Sequence, residues 1–256
     1  MPHRFHIATF TVAATALLAP ALTHAQVTLK PDGQWRYLLT AGANVSSGNN
    51  RASSLNLSAE GARQTERDKW TWDARADHAR SAGVATTERY GLRTQYNRDI
   101  SPDWFGFGAG EYLRDKLANI AGRTSLATGL GRHVWRDERG FFDLAAGLGY
   151  TYDRYVTPTD IAGAVRGTYG RMELVLSEES SHKLTDTTSL RQKFALYPDL
   201  RDRGKYRAVL DTGLTVAMTQ AVNLTMGLSY RYDSDPGGTL RKGDAMFVTG
   251  VSLRLD

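Results

Sequence analysis

The chain has no cysteine. That excludes a disulfide framework, a thiolate metal site and a lipid-modified cysteine at a cleavage site. It also lacks any run of roughly 18 consecutive apolar residues after its first segment, so no transmembrane helix is expected. Long stretches of one charge sign are missing as well. The 32 basic and 27 acidic residues give a net charge of +5 and are interspersed, which argues against a nucleic-acid-binding arm or an acidic tail. Mean hydropathy is −0.41. That value would ordinarily suit a soluble protein, but it is uninformative for a β-barrel, where half of each strand faces a polar interior.

What is present begins with a targeting signal. Arg4, with His3 and His6 beside it, forms a weakly basic start. Ile7 to Leu22 is apolar except for threonines and Pro20, and Thr23-His24-Ala25 has small residues where a signal peptidase needs them. The expected organisation is a cleaved signal peptide over 1–25, a short periplasmic segment over 26–34 and one β-barrel domain over 35–256. Export would follow the general secretory pathway. A mature length of this order fits one all-β domain.

The remainder alternates. From Asn223 to Asp233 the even positions are Leu224, Met226, Leu228, Tyr230 and Tyr232, and the odd ones are polar or glycine. Successive strand residues point to opposite faces, so this segment has one apolar wall and one wet wall. Phe142 to Tyr152 repeats the pattern. Trp70-Trp72-Ala74-Ala76 faces away from Thr71, Asp73, Arg75 and Asp77 in the same way. Tyr230 and Tyr232 end the apolar wall, where an aromatic girdle would meet the membrane interface.

Twelve strands are expected, near 35–45, 52–64, 69–80, 88–99, 104–114, 122–134, 141–155, 167–178, 187–197, 206–218, 222–233 and 245–255. Ten or fourteen remain compatible with the pattern, and the segments near 122–134 and 167–178 are the least regular. Connections alternate between short turns, such as Ile100-Ser101-Pro102-Asp103, and longer loops at Arg154–Arg166, Asp199–Lys205 and Asp233–Asp244. The fold class expected is therefore all-β: a transmembrane antiparallel up-and-down barrel with short periplasmic turns and longer external loops. A soluble barrel or sandwich would also alternate. The membrane form is preferred because the polar face is rich in Gly, Asp, Arg, Thr and Ser, which suit a lumen better than a dry core.

Trp35 opens a first strand that ends in Ser47-Gly48-Asn49. Near the other end the chain reads Tyr230-Arg231-Tyr232-Asp233-Ser234-Asp235-Pro236-Gly237-Gly238, with Asp244 entering the last strand. On these segments and their spacing the mature chain resembles the DUF481 family of uncharacterised proteins, the salt-stress-induced outer membrane proteins. The resemblance implies a Gram-negative outer-membrane location and no reaction or ligand. One departure is the C-terminus, Val251-Ser252-Leu253-Arg254-Leu255-Asp256, which lacks the terminal aromatic that many outer-membrane barrels present to the insertion machinery.

Chemistry-bearing residues are few. Asp77-His78 could form a base pair for activating water, and Ser180-Ser181-His182 could suggest a nucleophile and its base. Neighbours on a strand point to opposite faces, so the serine and histidine cannot share a proton easily, and no second acidic pair sits at a matching position for Asp77-His78. Asp233-Ser234-Asp235 has carboxylates spaced as in a calcium loop but lacks the later ligands, and Pro236-Gly237 reads as turn chemistry. No catalytic, cofactor or metal site is expected, and no enzyme.

The richest set is the inward charges: Arg36, Asp73, Arg75, Asp77, Arg93, Asp143, Asp153, Arg171, Glu173, Arg191, Lys193, Arg231 and Asp233. Such charges persist in a low-dielectric lumen only when paired. Gly106, Gly108, Gly110, Gly129, Gly131, Gly147 and Gly149 are expected on the inner wall. The function expected is a monomeric structural or envelope-stress barrel with a mostly filled polar lumen. The alternative is a narrow channel for ions or small polar solutes. Its partners would be outer-membrane lipid, lipopolysaccharide, the insertion machinery and such solutes, with no nucleic acid.

Overall fold

The computed structural model describes residues 31–46, 51–219, 221–238 and 240–255. The expected signal peptide and the Ser47-Gly48-Asn49 segment lie outside them. Twelve strands follow one another: β1 (Trp35–Ser46), β2 (Ala52–Gln64), β3 (Asp68–Ser81), β4 (Val84–Asp99), β5 (Trp104–Asp115), β6 (Ile120–Asp137), β7 (Gly140–Ile161), β8 (Ala164–Lys183), β9 (Thr188–Pro198), β10 (Tyr206–Ala217), β11 (Val222–Asp233) and β12 (Gly243–Leu255). Each pairs antiparallel with its sequence neighbour, and β1 pairs with β12 to close the barrel. The closing ladder is short. Among the described residues Tyr37 to Thr40 meet Leu255 to Ser252, whereas β1 and β2 pair over twelve residues.

Alternation builds the two faces as expected. Leu39, Leu57, Leu92, Leu126, Leu148 and Leu253 are more than two-fifths exposed on the exterior. So continuous an exposed apolar belt is the exterior expected of a barrel that faces lipid. Aromatic residues border the belt at both rims, with tyrosines at each and the tryptophans at one. The chain's five tryptophans, Trp35, Trp70, Trp72, Trp104 and Trp135, gather at the rim that carries the chain termini. Several are in contact there: Trp35 stacks on Tyr37 at 6.2 Å and tilts against Trp70 at 5.7 Å, and Trp70 is edge-on to Tyr96 at 6.5 Å. Tyr90, Tyr112, Tyr150, Tyr152, Tyr206 and Tyr230 mark the opposite rim. The terminal rim has only tight turns, while the opposite rim carries the 199–205 and 234–242 connections. The two rims thus differ as expected, with short turns at one and longer connections at the other.

Two expectations need correction. The segment from Arg154 to Arg166 is not an open loop. Strands β7 and β8, only the second of them expected to be irregular, are the longest in the barrel and continue as a two-stranded ribbon that closes at Ala162-Gly163. Both turn residues have positive φ, 52° and 73°, as a tight primed hairpin turn requires. Between Arg154 and Thr159 the register shifts, a bulge at Pro158 that broke the alternation in sequence and bends the ribbon. The second correction concerns glycines. Gly129, Gly131, Gly147 and Gly149 do face inward, but Gly106, Gly108 and Gly110 face the exterior, because Phe105, Phe107 and Glu111 take the inner positions of β5.

Candidate functional site

The ten lumen candidates Asp73, Arg75, Asp77, Arg93, Asp143, Asp153, Arg171, Glu173, Arg231 and Asp233 share the inner face through their strand registers. Arg36, Arg191 and Lys193 join them. Further charges on the same parity, among them Lys69, Arg89, Glu111, Arg123, Glu179, Arg207 and Asp211, belong to the set and were readable from it.

The charges do more than line the wall. Arg93 on β4 reaches Glu111 on the adjacent strand at 3.5 Å and Asp211 on β10 at 3.9 Å. Five strands separate β4 from β10 in either direction around the barrel, so this pair spans the lumen. Lys69 on β3 meets Glu179 on β8 at 3.4 Å, and Lys193 on β9 donates to Gln95 on β4 at 3.3 Å. Arg123 on β6 approaches Asp233 on β11 at 3.9 Å, and Arg89 on β4 reaches Asp244 on β12 at 3.3 Å. These bridges keep the interior narrow. A second network lies in the wall itself. Asp153, wholly buried, accepts from Arg123 and from Arg171 Nη1 at 2.9 Å. Glu173 accepts from Arg171 Nε at 2.9 Å and Arg207 Nη2 at 2.7 Å, and Thr151 donates to it at 2.6 Å.

Near the terminal rim, His133 is held between Asp143 at 2.7 Å and Asp99 at 3.2 Å, with Arg136 alongside, and stacks on Phe105 at 4.7 Å. Lys69, Glu179 and Arg191 lie at the same end. Above this floor a cavity of about 660 Å³ runs along the lumen. Its lining starts at Thr86, Lys242 and Asp244 by the external mouth and descends to Asn97, Phe105 and Asp143. One side carries the charges. The other is apolar, with Phe105, Phe107 and Val175 packed with Ala109, Ala127, Ala145 and Tyr197. Sequence reasoning assigned polar residues inward and therefore missed this strip.

The β7–β8 ribbon leans across the mouth. Thr157 N–H donates to the Asn119 side chain at 2.9 Å, and Asn119 Nδ2 returns a bond to the Thr157 carbonyl at 2.9 Å. On the far side Asp235 accepts from the Ala162 amide at 3.0 Å and pairs with Lys205 at 3.2 Å. Tyr155, Ile161 and Tyr169 form a small buried cluster beneath the ribbon. The Asp233-Ser234-Asp235 segment is thus a brace between loops: the Asp235 amide donates to Asp233 Oδ1 at 2.9 Å.

The other expected pairs are not brought together. Asp77 is buried inside while His78 lies outward opposite Glu88. Ser181 faces inward, and His182 stacks on Trp135 outside at 5.6 Å. Among the described residues no cluster of three or more His, Asp or Glu side chains is arranged to hold a metal ion.

A comparison with curated proteins finds no match. Among solved structures the chain is similar to the NanC porin, at 12% identity over 86% of this chain and 96% of that one, with a TM-score of 0.44. The translocator domain of the autotransporter NalP from Neisseria meningitidis matches at 16% identity over 87% and 88%, with a TM-score of 0.48. The CymD monoaromatic hydrocarbon channel matches at 11% over 86% and 78%, with a TM-score of 0.38. At these values the likenesses carry no inference about what the lumen does. The model of the family described as protein of unknown function, DUF481, matches residues 39–252, and the chain belongs to that family.

Proposed function

We propose that this protein sits in the outer membrane of a Gram-negative-type envelope and forms a narrow passage for small polar solutes. One observation carries the reading: the cavity of about 660 Å³ continues from the external mouth to within a few residues of the terminal rim. A barrel needed only for structure gains more from an apolar fill, since buried ion pairs often cost as much in desolvation as they return. Water-accessible charges of both signs suit polar solutes instead. The barrel would be a monomer in lipid and lipopolysaccharide, exported with its signal peptide and placed by the outer-membrane insertion machinery. It is read as a non-enzyme, since Asp77 and His78, and Ser181 and His182, are held on opposite faces.

The second reading is a structural or envelope-stress barrel with a closed lumen. The cross-lumen bridges and the ribbon braced over the mouth favour it. Planar-bilayer recording of the refolded, heat-modifiable protein separates the two, with an unfolded sample in parallel. Discrete conductance steps from the folded protein alone support the passage. Silence from verifiably folded protein removes it and leaves the structural reading, whose own prediction is detergent or salt sensitivity on deletion.

A further inference from the structure

One row of paired residues crosses seven strands inside the barrel: Phe105, Gly131, Ala145, Ser177, Ala195, Val209 and Arg231. From the Phe105 ring it continues over small and apolar residues to the Arg231 guanidinium, and the register partners beyond these two are Asp99 on β4 and Asp244 on β12. Phe107 and Val175 widen the strip on one side. The Phe105 ring lies against Gly131, so the wall there is smooth. All of these residues except Gly131 line the cavity.

The terminal cation is unusual among its neighbours. Each inward carboxylate lining the cavity, Glu111, Asp115, Asp143, Glu179, Asp211 and Asp233, has a cation or histidine within 4 Å. Arg231 has no carboxylate within that distance among the described residues, and its Nε is buried without a hydrogen-bond partner. Its charged surroundings are Arg93, Asp211, Glu111 and Arg89; Glu111 and Asp211 pair with Arg93, and Asp244, the register partner of Arg231 on β12, pairs with Arg89. Lys193, also on the cavity, bonds only the neutral Gln95 within reach of its ammonium group. A buried guanidinium with an open donor is costly unless an anion completes it.

We infer that the cavity binds a small amphipathic monocarboxylate, its apolar body along the Phe105–Val209 strip and its carboxylate on Arg231. The assignment names the solute class of the passage proposed above and rests on that reading for transport, though not for binding. A purely ionic solute has no use for the strip, and an uncharged apolar one leaves Arg231 unanswered.

The test is ¹⁹F NMR titration of the full barrel in lipid nanodiscs with 4-fluorobenzoate, 4-fluorobenzylamine and fluoroacetate. Nanodiscs without protein correct for partition into lipid. The expected result is saturable binding of 4-fluorobenzoate only, weakened at least tenfold in Arg231→Gln. Ala195→Trp, which fills the strip from a different strand, abolishes binding in a barrel that keeps its heat-modifiable mobility. Equal binding of the amine, or unchanged binding in Arg231→Gln, overturns the inference. The ligand series on the unaltered protein decides the matter if either variant fails to fold. Binding without conductance would leave the inference standing and remove the passage; conductance without benzoate binding would do the reverse.

Discussion

Asp153→Asn tests whether the wall network stabilises the barrel. The side chain is fully buried and accepts three hydrogen bonds: from Arg123 Nε, from Arg123 Nη2 at 3.1 Å and from Arg171 Nη1 at 2.9 Å. Asparagine keeps the shape and one carbonyl acceptor but removes the charge. Hydrogen bonds to charged groups contribute about 1.5–3 kcal/mol each, and stripping one partner from a buried pair costs about 3–5 kcal/mol. Arg171 retains Glu173 at 2.9 Å, which softens the loss, so roughly 3 kcal/mol is expected. Glu111→Gln is the contrast. Its pair with Arg93 is long, at 3.5 Å, and its side chain is 27% exposed on the cavity, so the loss should stay below about 1 kcal/mol. Urea unfolding in phosphatidylcholine vesicles measures both, and the tryptophans gathered at one rim give a single fluorescent reporter. If Asp153→Asn costs no more than Glu111→Gln, the ranking of the buried wall network over a pair exposed on the cavity is wrong.

Removing a cross-lumen bridge should widen the passage: Arg93→Ala is expected to raise single-channel conductance, and an unchanged step size would show that this bridge does not constrict the lumen. Gly131→Ala places a Cβ in the Phe105 ring and should cost about 1–3 kcal/mol by overpacking. Phe105→Ala in the same chain should recover part of that loss, whereas simple additivity would argue against the contact. Asn119 has φ +60° and holds Thr157 by two side-chain bonds. Asn119→Gly keeps the backbone and releases the ribbon, so the Val156 and Thr157 amides should exchange about tenfold faster, as roughly 1.4 kcal/mol of local stability would give; equal rates would show the ribbon is held elsewhere. Outside the spanning strands, hydrogen bonds from the Arg36 side chain and then the Gln34 amide hold the Asp32 carboxyl below its usual range. A depressed folded value means its contribution is intact above the unfolded value near 3.9 and fades as pH falls below it. An NMR titration should find Asp32 still ionised near pH 3, and a midpoint at the ordinary value would contradict the pairing.

The barrel was legible because lipid enforces a simple rule along most of the chain. In β11 every second residue from Leu224 to Tyr232 is apolar, and those side chains do face outward. What the rule could not supply were contacts set by barrel closure. Arg93 meets Asp211 because β4 and β10 stand opposite one another, a fact of strand number and shear. The bulge near Pro158 also hid from it, since a broken alternation reads as loop. The failure on β5 is different in kind. Period two separates the two faces without saying which is inside, and polarity normally decides. There it decides wrongly: Gly106, Gly108 and Gly110 face lipid while Phe105 and Phe107 turn inward. Burying a phenylalanine side chain is worth about 1.5–3 kcal/mol, and either face could supply that burial, but three glycines give the bilayer little to bury. A strand governed by the membrane alone would be reversed. Departures from local rules concentrate where function imposes a competing demand, and here the departure supplies the apolar strip that ends at Arg231. The reversed polarity of β5 therefore supports a ligand with an apolar body independently of the unanswered guanidinium.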